Sequence, residues 1–285
     1  MMPSWLNAFI TEQRLPSSFA ELAVRHYLPL VEKIGQWVNE KGSTLILGVN
    51  GAQGTGKSTL ADVLSIALGL NNGLKVAVLS IDDLYLTKQE RKALSAEVHP
   101  LLQTRGVPGT HDVELGLSIL EKVESGGEFE LPVFDKSVDD RAESGVHLNG
   151  RFDVLILEGW CVGAKPQHED ALVAPMNDLE KNEDADGEWR RFVNGSLSGG
   201  YQELFSKLDK LVMLKAPSFE CVYEWRGEQE RKLRDVRGDA EGVMSEVELE
   251  RFIMHYERLT NWMLEEMPER ADVVLELASD HSMKE

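Results

Sequence analysis

Short runs of consecutive aliphatic residues alternate along the chain with longer stretches in which apolar positions recur every three or four residues. The runs at 44–49, 75–81, 154–157, 211–214 and 273–275 are too short for helices and apolar on successive positions, which predicts strands buried on both faces. Between the first two runs, Leu60, Val63, Leu64, Ala67 and Leu68 take helical spacing, with Gly69 as the expected stop. Strand, helix and strand in that order imply a parallel pair. The five runs together predict an α/β fold: a five-stranded, parallel, doubly wound sheet with flanking helices.

Helical periodicity also fills the first forty residues. Ser18-Phe19-Ala20-Glu21 has the spacing of a capping box, and Leu22, Leu30, Ile34, Trp37 and Val38 follow it, so 1–42 is expected to be an N-terminal helical extension. A second capping-box spacing, Ser245-Glu246-Val247-Glu248, opens a core helix through Phe252, Tyr256, Leu259 and Trp262. Between the third and fourth strands, residues 165–200 are polar and dense in carboxylates, which predicts a surface insertion. No repeat period and no low-complexity linker divides residues 1–285, so one domain is expected.

With 42% hydrophobic and 28% charged side chains, the 285 residues have a globular balance that excludes a fibre, a coiled coil or a disordered tail. The formal net charge of -19 repels nucleic acid and anionic membrane surfaces, so neither is an expected partner, and any bound phosphate must be gripped locally. Cys161 and Cys221 lie far apart, which fits a reducing compartment. With no signal-peptide pattern and no apolar span of the roughly 20 residues a membrane requires, a cytoplasmic protein is the expectation.

The first strand runs into Gly51-Ala52-Gln53-Gly54-Thr55-Gly56-Lys57-Ser58, a match to G-x-x-x-x-G-K-[ST] placed between a buried strand and a helix, as a phosphate loop must be. Its glycines let backbone N–H groups converge on phosphates, the helix beginning near Lys57 and Thr59 presents its positive end, Lys57 neutralises the outer phosphates, and Ser58 offers its hydroxyl to Mg²⁺. The spacing is not that of a dinucleotide fingerprint, which disfavours a nicotinamide enzyme.

The residues around this loop separate the remaining readings. A GTPase needs N-K-x-D after a late strand, and Ser206-Lys207-Leu208-Asp209 begins with the wrong residue and precedes its strand. Leu197-Ser198-Gly199-Gly200-Tyr201-Gln202 imitates a transporter-ATPase motif, but no acidic strand end follows it, so a two-glycine loop is expected. Asn182 to Gly187 imitates half a calcium loop whose twelfth position is Val193, and reads as solvated.

A kinase fits better. Strand two runs into Asp82-Asp83 and strand three into Glu158, at the sheet edge where ligands of open α/β folds bind; one acid can hold Mg²⁺ and the other orient a substrate hydroxyl. The run from Arg105 to Asp112, with Gly106, Pro108, Gly109 and His111, reads as a shaped binding loop. Lys136 and Arg141 lie beyond it. Arg226, Arg231, Lys232, Arg234 and Arg237 are interleaved with glutamates on a helix; they either pair within it or close over ATP as a lid at 217–242.

In this order the phosphate loop, Ser80 to Thr87, Arg105 to Asp112, Phe134-Asp135-Lys136-Ser137, Leu157-Glu158-Gly159-Trp160 and Glu224-Trp225-Arg226 resemble the D-glycerate 3-kinase family of P-loop kinases, and more distantly uridine and pantothenate kinases. The resemblance covers about 44–262 and implies the kinase type of P-loop NTPase fold, with ATP and Mg²⁺ as cofactors. It implies Asp82 as general base, Ser58 and Glu158 (with Asp82 nearby) on the metal side, Lys57 on the β/γ-phosphates and Arg226 on a lid. D-Glycerate is then the expected acceptor, with Arg105 or Arg141 suited to its carboxylate and His111 and Asp112 to its hydroxyls. The insertion at 165–200 departs from the plant enzymes' pattern. A nucleoside- or pantothenate-like acceptor, or an ATPase switch that binds a partner, are the alternatives.

Overall fold

The computed structural model describes the backbone over residues 2–237 and 244–284, and side chains over 2–231 and 244–284. Its strands are β1 (Leu45–Gly51), β2 (Val76–Ser80), β3 (Glu128–Leu131), β4 (Phe134–Asp135), β5 (Asp140–Arg141), β6 (Val146–Asn149), β7 (Val154–Gly159), β8 (Lys210–Lys215) and β9 (Val273–Glu276). The five predicted runs form one parallel sheet in the order β2-β7-β1-β8-β9. The chain leaves β1 in one direction and later crosses back to β8 on the other side. The sheet therefore splits at the C-terminal ends of β1 and β7, where open α/β folds bind ligands.

The helices are α1 (Ser4–Glu12), α2 (Phe19–Leu22), α3 (Leu28–Lys41), α4 (Lys57–Asn72), α5 (Lys88–Glu97), α6 (Val113–Ser125), α7 (Asp178–Glu183), α8 (Glu188–Ser198), α9 (Gly200–Ser206), α10 (Phe219–Arg237) and α11 (Glu246–Glu266). Strand pleating sends alternate residues to opposite layers. Leu45, Leu47 and Val49 pack with α1, α3 and α4, while Ile46, Leu155 and Leu157 pack with α6, α9 and α11. This two-sided burial is why the strands read as unbroken aliphatic runs.

Some local expectations fail for identifiable reasons. Ser18 makes no capping bond because its own backbone is already helical, the chain having turned through Phe19 N–H to Pro16 O; α2 then passes through a π turn at Ala23–Tyr27 into α3. Gly69 does not stop α4, which runs to Asn72 and ends where Gly73 turns left-handed at φ 68°. The box at Ser245 forms, and another at Thr87 and Glu90 opens α5.

The acidic segment at 165–200 is the main correction. Much of it is exposed as expected, but it is folded onto the body of the protein, because two of its acids, Glu180 and Asp184, are buried against cationic partners. Glu180 accepts from Arg258 of α11 at 2.7 and 2.6 Å, and Arg258 also donates to the Ala171 and Ala174 carbonyls. Asp184 accepts from the Trp189 amide at 2.8 Å and from Arg190 at 2.9 Å, which caps α8. Leu179 and Trp189 then pack on Leu101, Leu102 and Val107, beneath the loop that follows α5. Two small antiparallel pairs, β3 with β6 and β4 with β5, add a layer not predicted from the pattern.

Candidate active site

Gly54 and Gly56 both sit at φ 83°, a conformation costly for any side chain, and they bend the chain from β1 into α4. Thr55 is buried and donates to the Ala52 carbonyl at 2.8 Å, closing the turn between Gly51 and Lys57 around Gln53. No side chain caps α4, so its first-turn amides face the sheet edge as an anion site. The turn is braced from outside. A Cβ on Gly54 would lie 2.7 Å from Trp225 Cβ, Trp225 Nε1 donates to Ser279 O at 2.8 Å, and the His281 ring, 4.3 Å from that of Trp225, donates through Nε2 to Gly54 O at 3.1 Å. Beside Thr55, Gly56 and Thr59 opens a cavity of about 590 Å³, walled by Leu22 and Tyr27 on the N-terminal side and by Asp280 and Met283 on the other.

Ser58 Oγ donates to Glu158 Oε1 at 3.0 Å, joining the start of α4 to the end of β7. Glu158 is buried and its Oε2 has no hydrogen-bond partner. A hydroxyl and a carboxylate with a lone pair to spare fit Mg²⁺, which takes few protein oxygens and keeps water on its other positions.

Asp82 follows β2 in a short 3₁₀ turn, and both its oxygens are engaged: Tyr85 donates to Oδ1 at 2.7 Å and Lys136 to Oδ2 at 2.8 Å. Burial pushes this carboxyl up, but the Lys136 and Lys57 ammonium groups outweigh it and bring it down to about 2. Asp82 therefore stays charged at any physiological pH. Asp83 turns away to accept from the Phe134 amide at 3.0 Å, and burial raises its carboxyl.

The loop from Arg105 to Asp112 closes the same space. Asp112 caps α6 by accepting from Leu115 N at 3.0 Å and pairs with Arg141 at 3.3 Å, while Arg141 also donates to Tyr85 O. Both contacts run through one terminal nitrogen of Arg141, whose Nε is buried without a partner. His111 stacks on Tyr85 at 4.7 Å, and its Nδ1 lies 2.6 Å from Tyr201 Oη. Tyr201 also accepts from the Gly109 amide at 3.0 Å, and the direction of its bond with His111 Nδ1 follows the tautomer of the ring, whose Nε2 is buried without a partner. Burial lowers His111 to about 4, so it is neutral at pH 7. Arg105 pairs with Asp139 on the β4–β5 turn.

Arg226 pairs with Glu230 one turn on and lies over the Phe252 ring of α11, so it is held between the two helices. Lys232, Arg234 and Arg237 have side chains outside the described residues, as does the end of the expected lid. Asp209 lies at the opposite end of β1, accepting from Ile46 N at 2.7 Å and pairing with Lys41, so it cannot read a base near the phosphate loop. The glycines at 199–200 join α8 to α9 and turn Tyr201 inward. The sequence alone assigns no role to Tyr85, Tyr201 or Asp139; only the position of Tyr85 beside Asp82 hints at one.

A model of the methylmalonyl-CoA mutase-associated GTPase MeaB matches residues 24–85, the stretch from the π turn through the phosphate loop to Tyr85. Over 243 residues the chain is 34% identical to the uncharacterized kinase mug58 of Schizosaccharomyces pombe, covering 80% of this chain and 85% of that one. It is 30% identical over 224 residues to the chloroplastic D-glycerate 3-kinase of Arabidopsis thaliana, covering 74% of this chain and 46% of that one, so it spans about half that protein's length. A solved structure of D-glycerate 3-kinase from Cryptococcus neoformans aligns with a TM-score of 0.71 at 26% identity, covering 90% of this chain and 98% of that one.

Proposed function

The chain belongs to the P-loop kinase family related to D-glycerate 3-kinase, and from that premise we propose that it transfers the γ-phosphate of ATP to a hydroxyl of a small carboxylate-bearing metabolite, D-glycerate foremost. The observation that carries this reading is Asp82, charged and held at 2.7 and 2.8 Å by Tyr85 and Lys136, at the sheet edge that also bears the phosphate loop.

The nucleoside would occupy the cavity beside Thr55 and Thr59, and the triphosphate would lie along the α4 amides with Lys57 on its outer oxygens. Ser58 and Glu158 would hold Mg²⁺, which when bound neutralises phosphate charge. Asp82 aligns the acceptor hydroxyl and takes its proton late. A carboxylate near pKa 2 is a feeble base toward an alcohol, but a loose phosphoryl-transfer transition state asks it mainly to orient the nucleophile. Arg105 or Arg141 is the cation suited to an acceptor carboxylate, and neutral His111 brings an unpaired Nε2 to the same loop.

ADP release measured over a panel of hydroxy acids, nucleosides and pantothenate tests this. Stimulation by D-glycerate is expected. Stimulation by a nucleoside or by pantothenate instead would move the acceptor, and hydrolysis indifferent to every compound would point to an ATPase switch.

A further inference from the structure

Asp139 stands in the turn between β4 and β5 with a left-handed backbone, φ 58°, which aspartate tolerates better than most side chains. Its carboxylate is shared by two arginines from separate elements. Arg91 of α5, whose side chain is only 1% exposed, meets Oδ2 at 3.0 Å and Oδ1 at 3.3 Å and donates to the Asp139 carbonyl at 2.7 Å. Arg105 pairs with Oδ1 through one terminal nitrogen. Both guanidinium groups lie over the Phe134 ring, at 5.6 and 5.4 Å.

These contacts are unequal. Arg91 is buried and grips side chain and main chain together, so Asp139 is fixed from that side. Arg105 is 27% exposed and spends only one terminal nitrogen on the pair, which leaves the rest of its planar fork able to receive an anion. We infer that Asp139 is the positioning residue that aims Arg105 at the acceptor's carboxylate, and that the pair selects a hydroxy acid over the corresponding neutral alcohol or amide. This rests on the kinase reading above. The Arg91–Asp139–Arg105 triad carries one net positive charge, so the subsite keeps its attraction for an anion while the shared carboxylate offsets the repulsion between the two cations.

The variant to test is Asp139→Asn, since asparagine keeps the left-handed turn and some hydrogen bonding but loses the charge. Two readouts separate this proposal from the identity of the acceptor. In side-chain ¹⁵N NMR, the Arg105 Nε–H resonance, assigned by its loss in Arg105→Lys, is expected to be resolved in the natural protein and to broaden or shift to the free-arginine position in Asp139→Asn; an unchanged resonance overturns the positioning role. In kinetics, with whichever acceptor the panel identifies, Asp139→Asn is expected to raise the acceptor KM at least tenfold and to change kcat and the ATP KM less than threefold. In an Arg105→Ala background the same change is expected to add less than twofold; additive effects would reduce Asp139 to a brace of the hairpin and overturn the proposal. A natural protein that phosphorylates only neutral alcohols would defeat both the hydroxy-acid reading and the selectivity, while the NMR result still judges the positioning on its own.

Discussion

Ser58 of α4 and Glu158 at the end of β7 meet through a 3.0 Å hydrogen bond, across a hundred residues of sequence and at the split of the sheet. The pair leaves Glu158 Oε2 buried and unpaired, an arrangement that costs stability unless another ligand uses that oxygen. Glu158→Gln keeps the shape and the bond to Ser58 while removing the charge. It is expected to lower kcat by about a hundredfold or more, to weaken the dependence of rate on Mg²⁺ concentration, and to leave thermal stability equal or slightly higher. Metal titrations of ADP release check this, and an unaltered Mg²⁺ dependence would remove Glu158 from the metal side.

Asp82 and Lys136 make a second pair whose charge balance can be read through pH. The folded carboxyl, at about 2, lies below its ordinary 3.8, so its contribution to stability is complete above the ordinary value and drains away as pH falls toward 2. Asp82→Asn is expected to cut kcat by about 10²–10⁴-fold with little change in ATP affinity. Lys136→Met removes the strongest cation acting on Asp82, leaving burial opposed chiefly by Lys57. The acid limb of the kcat–pH profile is then expected to move to higher pH, and a limb that stays in place would show that another group governs it.

How much of this was legible beforehand depended on whether a residue's partners lay near it in sequence. The strands showed because burial on both faces leaves aliphatic runs such as Leu45 to Leu47, and the phosphate loop showed because its chemistry sits in eight consecutive residues. Glu180 and Asp184 were misread because carboxylates look alike along a chain. Their partners, Arg258 and Arg190, lie 78 and 6 positions away, and only packing reveals that both pairs are buried. Asp139 and Tyr201 escaped notice for the same reason, each acquiring its meaning from an arginine or histidine brought in by another element. Ser18 shows the opposite error: its spacing suited a cap, but capping needs an extended backbone at that residue, and the preceding turn had already made it helical.

The insertion can be tested as structure. Glu180→Leu leaves Arg258 buried without its carboxylate, and removing one partner of such a pair costs about 3–5 kcal/mol. Urea denaturation followed by tryptophan fluorescence is expected to show a loss of that size. Because α7 and α8 underlie the loop from Arg105 to Asp112, the acceptor KM is expected to rise while the ATP KM holds. A loss under about 1 kcal/mol would mean that the segment is the solvated excursion its composition suggests.

Two buried histidines set a further pH dependence. Burial lowers His111 to about 4 and His255 to about 4, both from an ordinary 6.5. Acid facing His255 comes from Glu183 and cation from Arg251, and the Asp82 charge opposes the shift at His111 without cancelling it. Below pH 6.5 the unfolded chain gains protons that the folded chain refuses, so stability is present above 6.5 and falls progressively between 6.5 and 4. The melting temperature is expected to drop by several degrees over that interval, and His255→Gln to flatten part of the slope. A melting temperature constant from pH 7 to 4.5 would contradict both shifts.

The brace around Gly54 predicts a split between the two substrates. At φ 83° any side chain is strained, and here the added carbon would also meet Trp225 Cβ at 2.7 Å. The Trp225–His281 contact holds the Gly54 carbonyl from outside, so the loop cannot move aside without losing the His281 hydrogen bond. Gly54→Ala must therefore distort the turn whose amides are to grip phosphate. ATP affinity, measured by calorimetry with Mg²⁺ present, is expected to fall at least tenfold. On the proposed reading acceptor binding depends on the Arg105 side of the cleft and is expected to change less than twofold. Equal losses for both ligands would mean that the substitution loosens the whole cleft, and undiminished ATP binding would show that the phosphates bind elsewhere.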